Sequence, residues 1–356
     1  MKTLLKNFGF ATVLALGAAA TGCAADAPGG GGDNGGGGGG DGSGSGSNQQ
    51  LDATGKYSMA STFDIATNLP GTVGVVTNDF IAATDDPDDP TKWVLQQIVN
   101  QLPNGTAKTL LNGAIPFVSG YLNDRVLQWA PDFVTTIVQV GNDFGDIAKH
   151  FGLNETLEAT KAGSDYTATL TALGVHFKID TVESDYKFAD YGTPNVVAMN
   201  VGVQLDATGK LTIADHKMPL AYGKILRIGL DAAIIPLIDA NATNLGQLLA
   251  DKIDCVAVGG YINDALVNQF GFGPGASVMT GACNAGLQFG ANAIYTKIGA
   301  IDASALEFDV NGTAKAVDTN HDYKMDTIQT GKWAGTLSYA GTPAPLSTAT
   351  FVGTRM

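Results

Sequence analysis

From Tyr57 onward apolar and polar residues alternate: Tyr57, Met59, Ser61, Phe63 and Ile65 share one side of a two-residue period. This predicts a strand from about Leu51 that ends in the turn Asn68-Leu69-Pro70-Gly71. Thr72 to Ala82 reads as a short apolar helix, stopped by Asp85-Asp86-Pro87-Asp88-Asp89-Pro90. There Asp89 can cap a second helix, Pro90 to Leu102, with proline at the position where a missing N–H costs nothing. Between Thr106 and Phe151 apolar residues recur three or four apart, Leu110, Phe117, Tyr121, Trp129, Ile137 and Phe144 among them. Pro116 and Pro131 divide this stretch into two or three helices with one apolar stripe.

Near Leu157 the period changes. Tyr166, Ala168 and Leu170, then Val175, Phe177 and Ile179, alternate with polar residues, and Val196 to Leu205 continues the pattern. Asp206-Ala207-Thr208-Gly209 and Gly223 mark turns. Lys224 to Ile238 is too long and apolar for a simple strand and reads as a strand entering a buried helix. Ala242 to Asp251, Val256 to Phe270 and Ala282 to Ile298 are helix candidates, the second weakened by Gly259-Gly260. Strands return at Leu306-Phe308-Val310, with an Asn311-Gly312 hairpin turn, then at Trp333 to Tyr339 and Thr348 to Gly353. The expected architecture is α+β, an antiparallel β-sheet packed against N-terminal and central helices. It occupies a globular region, 51–356. Whether that region divides into a helical part, 72–152, and a β-rich part, 155–356, the pattern leaves open.

The first residues follow a different rule. A basic start, an apolar run of about 13 residues and a close of small residues make residues 1–22 a signal peptide, since a bilayer span needs roughly 20. Ala20-Thr21-Gly22-Cys23 resembles the lipobox of bacterial lipoproteins, although Ala20 stands where that family usually has Leu. The resemblance implies lipidation of the Cys23 thiol, cleavage before it and acylation of the new amino group. Ala24 after the cysteine implies outer-membrane sorting, with the periplasmic or surface face left open. The alternative is an ordinary secretory peptide ending near Ala25. Residues 23–50 hold Asp26, Asp33 and Asp41 as their only charges amid Gly, Ser and Asn, which predicts a disordered tether.

Charge and cysteines narrow the function. Asp and Glu number 34 against 20 Lys and Arg, a net charge of −14 that repels phosphates, so nucleic acid is discarded as a partner. The membrane, reached through the lipid anchor, and a lipid or envelope protein remain as partners. Cys255 and Cys283 stand alone in the globular region and are most simply a disulfide in an oxidising compartment. Two buried thiols are the competing reading.

Asp318-Thr319-Asn320-His321-Asp322-Tyr323-Lys324-Met325-Asp326 places oxygen-bearing side chains at relative positions 1, 3, 5 and 9, with the Lys324 carbonyl at 7. It resembles the calcium loops of EF-hand and dockerin modules, which implies calcium held by Asp318, Asn320, Asp322, Lys324 and Asp326. Tyr323 replaces the turn glycine and Gln329 the acidic residue at position 12. The competing reading is a hydrogen-bonded acidic connector. Asp85, Asp86, Asp88 and Asp89 are solvated or capping groups, with a second cation site as the alternative.

No GxSxG elbow, SxxK set or Walker loop is present, and His216 beside Asp215 lacks a recognisable nucleophile. The preferred function is therefore a non-enzymatic envelope interaction or binding module. A carrier of an elongated apolar ligand is the alternative, on a loose resemblance in element order to tubular lipid-binding folds of the bactericidal/permeability-increasing class; a hydrolase is a distant third.

Overall fold

The computed structural model describes residues 50–65, 68–84, 96, 99–101, 104–105, 108–109, 112 and 131–356. Cys23, residues 1–49, the Asp85–Asp89 cluster and most of the expected helices between 90 and 130 lie outside the described residues. Asn48–Met356 form one compact unit.

Ten strands form one antiparallel sheet: β1 (Gly55–Asp64), β2 (His150–Ala162), β3 (Asp165–Ile179), β4 (Val182–Lys187), β5 (Val196–Leu205), β6 (Lys210–Leu220), β7 (Leu306–Val317), β8 (Thr327–Tyr339), β9 (Thr342–Pro345) and β10 (Thr348–Arg355). β4 and β9 are hairpin flaps on β3 and β8. The other eight close into a ring, β1-β2-β3-β5-β6-β7-β8-β10, because β10 pairs with both β8 and β1. The expected sheet packed against helices is thus corrected to a closed β-barrel. Closure leaves no edge along most of the wall, which satisfies backbone groups that an open sheet must cover with helices.

Two helical insertions explain the misleading pattern. One joins β1 to β2 and contains α1 (Gly71–Thr84) and α2 (Pro131–Lys149). The other joins β6 to β7: α3 (Tyr222–Ile228), a π-helical turn (Gly229–Ile234), α4 (Ile235–Ile238), α5 (Leu245–Lys252), α6 (Cys255–Phe270) and α7 (Ala276–Ile301). The pairs Asp64↔His150 and Leu220↔Leu306 put both insertions at the same end of the barrel. The stretch 224–238 is helical throughout, and the helix ending at Lys149 gives way at once to strand, with Phe151 inside the barrel.

The interior is filled by the inward half of each alternating strand. Phe63, Phe151 and Phe308 meet near the helical end, with centroids 4.8 Å apart for Phe63–Phe308 and 5.8 Å for Phe63–Phe151. Trp333 and Phe351 stack at 4.2 Å further down. Gly312 is a packing residue within β7, where a Cβ would lie 2.6 Å from the Trp333 indole. That contact displaces the expected Asn311-Gly312 turn.

Candidate functional site

The wall opens at one seam. β5 and β6 pair only over Val203–Leu205 against Leu211–Ile213, the shortest seam of the ring. β5 bends at Asn200, which adopts a left-handed φ of 58° next to a register slip against β3. β6 slips against β7 between Ile213 and His216. Such bulges interrupt a ladder, and the regular pairing of β5 with β6 ends at them. Beyond them, Val196–Ala198 pair only with β3 and His216–Leu220 only with β7. A cleft of about 220 Å³ lies beside these strand ends, with Phe188, Thr193 and Val196 on one side and Pro219, Leu220 and Ile225 on the other. Thr193 is 6% exposed and its Oγ1 has no hydrogen-bond partner among the described residues. Asp302 closes the rim; its Oδ1 accepts the Gly223 N–H at 2.8 Å, and burial raises its carboxyl above the ordinary range.

A second polar cluster sits in the barrel. Ser61 of β1 donates to Oε2 of Glu155 on β2 and accepts from Trp333 Nε1 at 3.0 Å. Glu155 is 2% exposed, its Oε1 has no partner among the described residues, and burial pushes its carboxyl up to about 7. His216 packs edge-on to Trp333 at 5.4 Å with Nδ1 on the Ala214 carbonyl at 2.9 Å, and burial lowers its pKa. Asp215 is exposed and accepts from Asn311 Nδ2 instead. The structure therefore does not bring His216 to a nucleophile at a cleft. Glu155 was findable from the pattern, as the single charge in the inward series Phe151, Leu153, Glu155, Leu157, Ala159. Thr193 carried no sequence signal.

The acidic loop lies between β7 and β8, at the end opposite the helices. Asp318 Oδ1 accepts from His321 N at 2.7 Å and its Oδ2 from Tyr323 N at 2.8 Å. Asn320 and Asp322 accept from Asp322 N and Lys324 N, both at 2.9 Å. Asp326 accepts from Thr319, which holds its carboxyl below the usual range. Tyr323 is left-handed, φ 64°, as the glycine of a calcium loop would be. Among the described residues, however, no three His, Cys, Asp or Glu side chains gather so as to hold a metal. The donor set is spent on the loop's own N–H groups, and the loop in turn holds the first and last strands' outer flanks at Asp52 and Arg355. Asp52 N donates to Tyr323 O at 2.8 Å, Met325 N to Asp52 O at 2.9 Å, and Arg355 N to Asp326 O at 2.7 Å. Asp318→Ala removes the acceptor of several of these bonds and is expected to destabilise the chain by about 1–2 kcal/mol in urea denaturation.

Cys255 and Cys283 form a disulfide with Cα atoms 5.5 Å apart, joining the start of α6 to α7. Among the described residues no helix is long and apolar enough to cross a membrane. The strands are apolar inside and mostly polar outside, with Lys56, Thr62, Thr313, Lys315, Lys332 and Thr350 on the outer face beside a few exposed apolar residues such as Met199 and Val352. A lipid-facing barrel has the reverse polarity.

Fold and site together define a helix-capped antiparallel barrel with aromatic side chains along its axis and a lateral cleft beside the β5–β6 seam. No family model, curated protein or solved structure matches the chain.

Proposed function

We propose that the chain is a non-enzymatic binding module of the bacterial cell envelope, anchored at the outer membrane through lipidated Cys23 and displayed on the glycine tether. One observation supports binding at the surface over carriage inside: aromatic side chains occupy the barrel axis, while a cleft opens at the wall beside the β5–β6 seam. Gln50 and Asp52 lie at the acidic-loop end of the barrel, opposite the helical end. The polar outer wall gives the barrel no hold of its own on lipid, which leaves attachment to the anchor.

Cys23→Ala is expected to move the protein from the membrane fraction to the soluble fraction, read by fractionation and by the intact mass of the N-terminal peptide. Membrane attachment that survives the substitution, without acyl mass, rejects the anchor. Native mass spectrometry of detergent-free protein tests the carrier alternative: a ligand-free mass is expected, and retained lipid would replace the present reading.

A second reading keeps 318–326 as a weak calcium loop, favoured by the left-handed Tyr323. Calcium would be held by Asp318, Asn320, Asp322, Asp326 and the Lys324 carbonyl. Millimolar calcium should then raise the melting temperature of the wild type and leave Asp322→Ala unchanged; no shift in the wild type removes the reading.

A further inference from the structure

We infer that the outer wall at the β6–β7 pair carries an anion site, built by Lys210 and Lys315 and flanked by Lys332, that takes one phosphate monoester or a comparable tetrahedral dianion. It lies at the opposite end of β6 from the cleft.

Strand register carries the argument. Elsewhere on the wall lysines stand across from carboxylates: Lys56 faces Glu158, Lys178 faces Glu183 and Lys217 faces Asp309. Two of these lysines complete ion pairs, Lys178 with Glu183 at 3.0 Å and Lys217 with Glu307 at 2.6 Å. Lys210 faces Lys315 instead. Like charges directly opposite on a sheet repel, and neither ammonium has an ion-pair or hydrogen-bond partner among the described residues. Lys332, opposite Thr313 on the next strand, is unpaired in the same way. Asp206 and Asp318, the nearest acids along the chain, spend oxygens on turn N–H groups. The Asp206 carboxyl is held below its ordinary range first by the Thr208 hydroxyl and least by the Lys210 charge. A chain with 34 acidic residues thus leaves this stretch of wall to lysine.

A groove of about 300 Å³ runs over the lysine pair and is lined also by Thr313 and Thr330. Both threonines are exposed, and their hydroxyls have no hydrogen-bond partner among the described residues. Two ammonium groups and two hydroxyls can therefore donate to one anion. Thr330 sits in the groove at a cost: its φ is 50°, a region that β-branched residues seldom enter, and it falls in the register slips of β8 against both β7 and β10. Backbone strain of this kind gathers at ligand sites. A polyanion is a poor occupant, because beyond the three lysines it meets the surplus that gives a net charge of −14. A single phosphate group stays within a Debye length, about 8 Å, of the lysines.

The test titrates the full chain carrying Cys23→Ala with glycerol phosphate at constant ionic strength and follows backbone amide shifts. Saturating shifts around Lys210, Lys315 and Thr330 are expected, with inorganic phosphate producing the same pattern and glycerol none. Lys315→Glu should weaken binding at least about tenfold and raise the melting temperature, because Lys210 then faces a carboxylate; a variant that merely folds badly would melt lower. Lys56→Gln, on the same wall opposite Glu158, should leave binding unchanged. Flotation with phosphatidylcholine vesicles, with and without phosphatidic acid, separates the two sources of the phosphate. Capture by phosphatidic acid that Lys315→Glu abolishes assigns the site to a lipid headgroup, and binding of glycerol phosphate without capture assigns it to a soluble phosphorylated molecule. Absence of both saturation and capture, an equal loss in Lys56→Gln, or a Lys315→Glu protein that melts below the wild type overturns the proposal.

Discussion

Replacing Cys255 and Cys283 together by alanine is expected to destabilise the chain by about 3.5 kcal/mol, the chain-entropy value for a closed loop of 28 residues. At this size that corresponds to a melting temperature lower by roughly 5 °C. The loss should be local in its first expression. The bridge ties α6 to α7 beside a close approach, where a Cβ on Gly259 would lie 2.5 Å from the Thr280 nitrogen. Without the bridge, amide exchange should rise first along α6 and α7, while β1, β2 and β3, zipped over long registers, keep their protection. Cys283 is fully buried and Cys255 nearly so, so alanine leaves a small cavity and no orphaned hydroxyl. Unchanged melting, or free thiols labelled after denaturation of the untreated protein, would show that the bridge does not form.

The strands were legible because alternation is a local signal. Tyr57, Met59, Ser61 and Phe63 all face inward, as the period of β1 requires. Closure was not legible, since it depends on β10 pairing with β1, between residues such as Tyr57 and Arg355 that lie near opposite ends of the folded unit in sequence. Apolar helices inserted at one end of a barrel leave the same periodicity as helices laid along a sheet. Glycines misled for a related reason: Gly312 and Gly259 read as a turn and a helix-breaker, yet each makes room for a neighbour remote in sequence, Trp333 and Thr280. Gly223, taken for a turn, packs within α3 against the Ile298 carbonyl. The spacing of the acidic loop was visible, whereas its use as a clamp on Asp52 and Arg355 was not. The β5–β6 cleft arises from two bulges, and neither Asn200 nor the Ala214-Asp215 pair announces one in the sequence.

Glu155→Gln is expected to make the protein more stable than the wild type above neutral pH, by about 3 kcal/mol, with the advantage fading toward pH 4.5. Burial is the cause: in the folded chain the carboxyl titrates near 7, and the Ser61 hydrogen bond only partly offsets the desolvation. Unfolded, it titrates near the ordinary glutamate value of about 4.5. Below 4.5 both states hold the proton and Glu155 contributes nothing to the pH dependence. Between 4.5 and 7 the folded state binds more protons than the unfolded one, so stability falls as pH rises, and above 7 the loss is complete. At 1.36 kcal/mol for each pH unit of the interval, the loss is about 3 kcal/mol. Glutamine keeps an acceptor for Ser61 and carries no charge, so its stability profile lacks this slope. Other raised carboxyls, Asp143 at about 6 among them, tilt both proteins alike, and the difference between the two profiles isolates Glu155. Urea denaturation at intervals from pH 4.5 to 8 measures it. Parallel profiles would mean that the carboxylate is solvated, and hence that the barrel centre between Ser61 and Trp333 admits water.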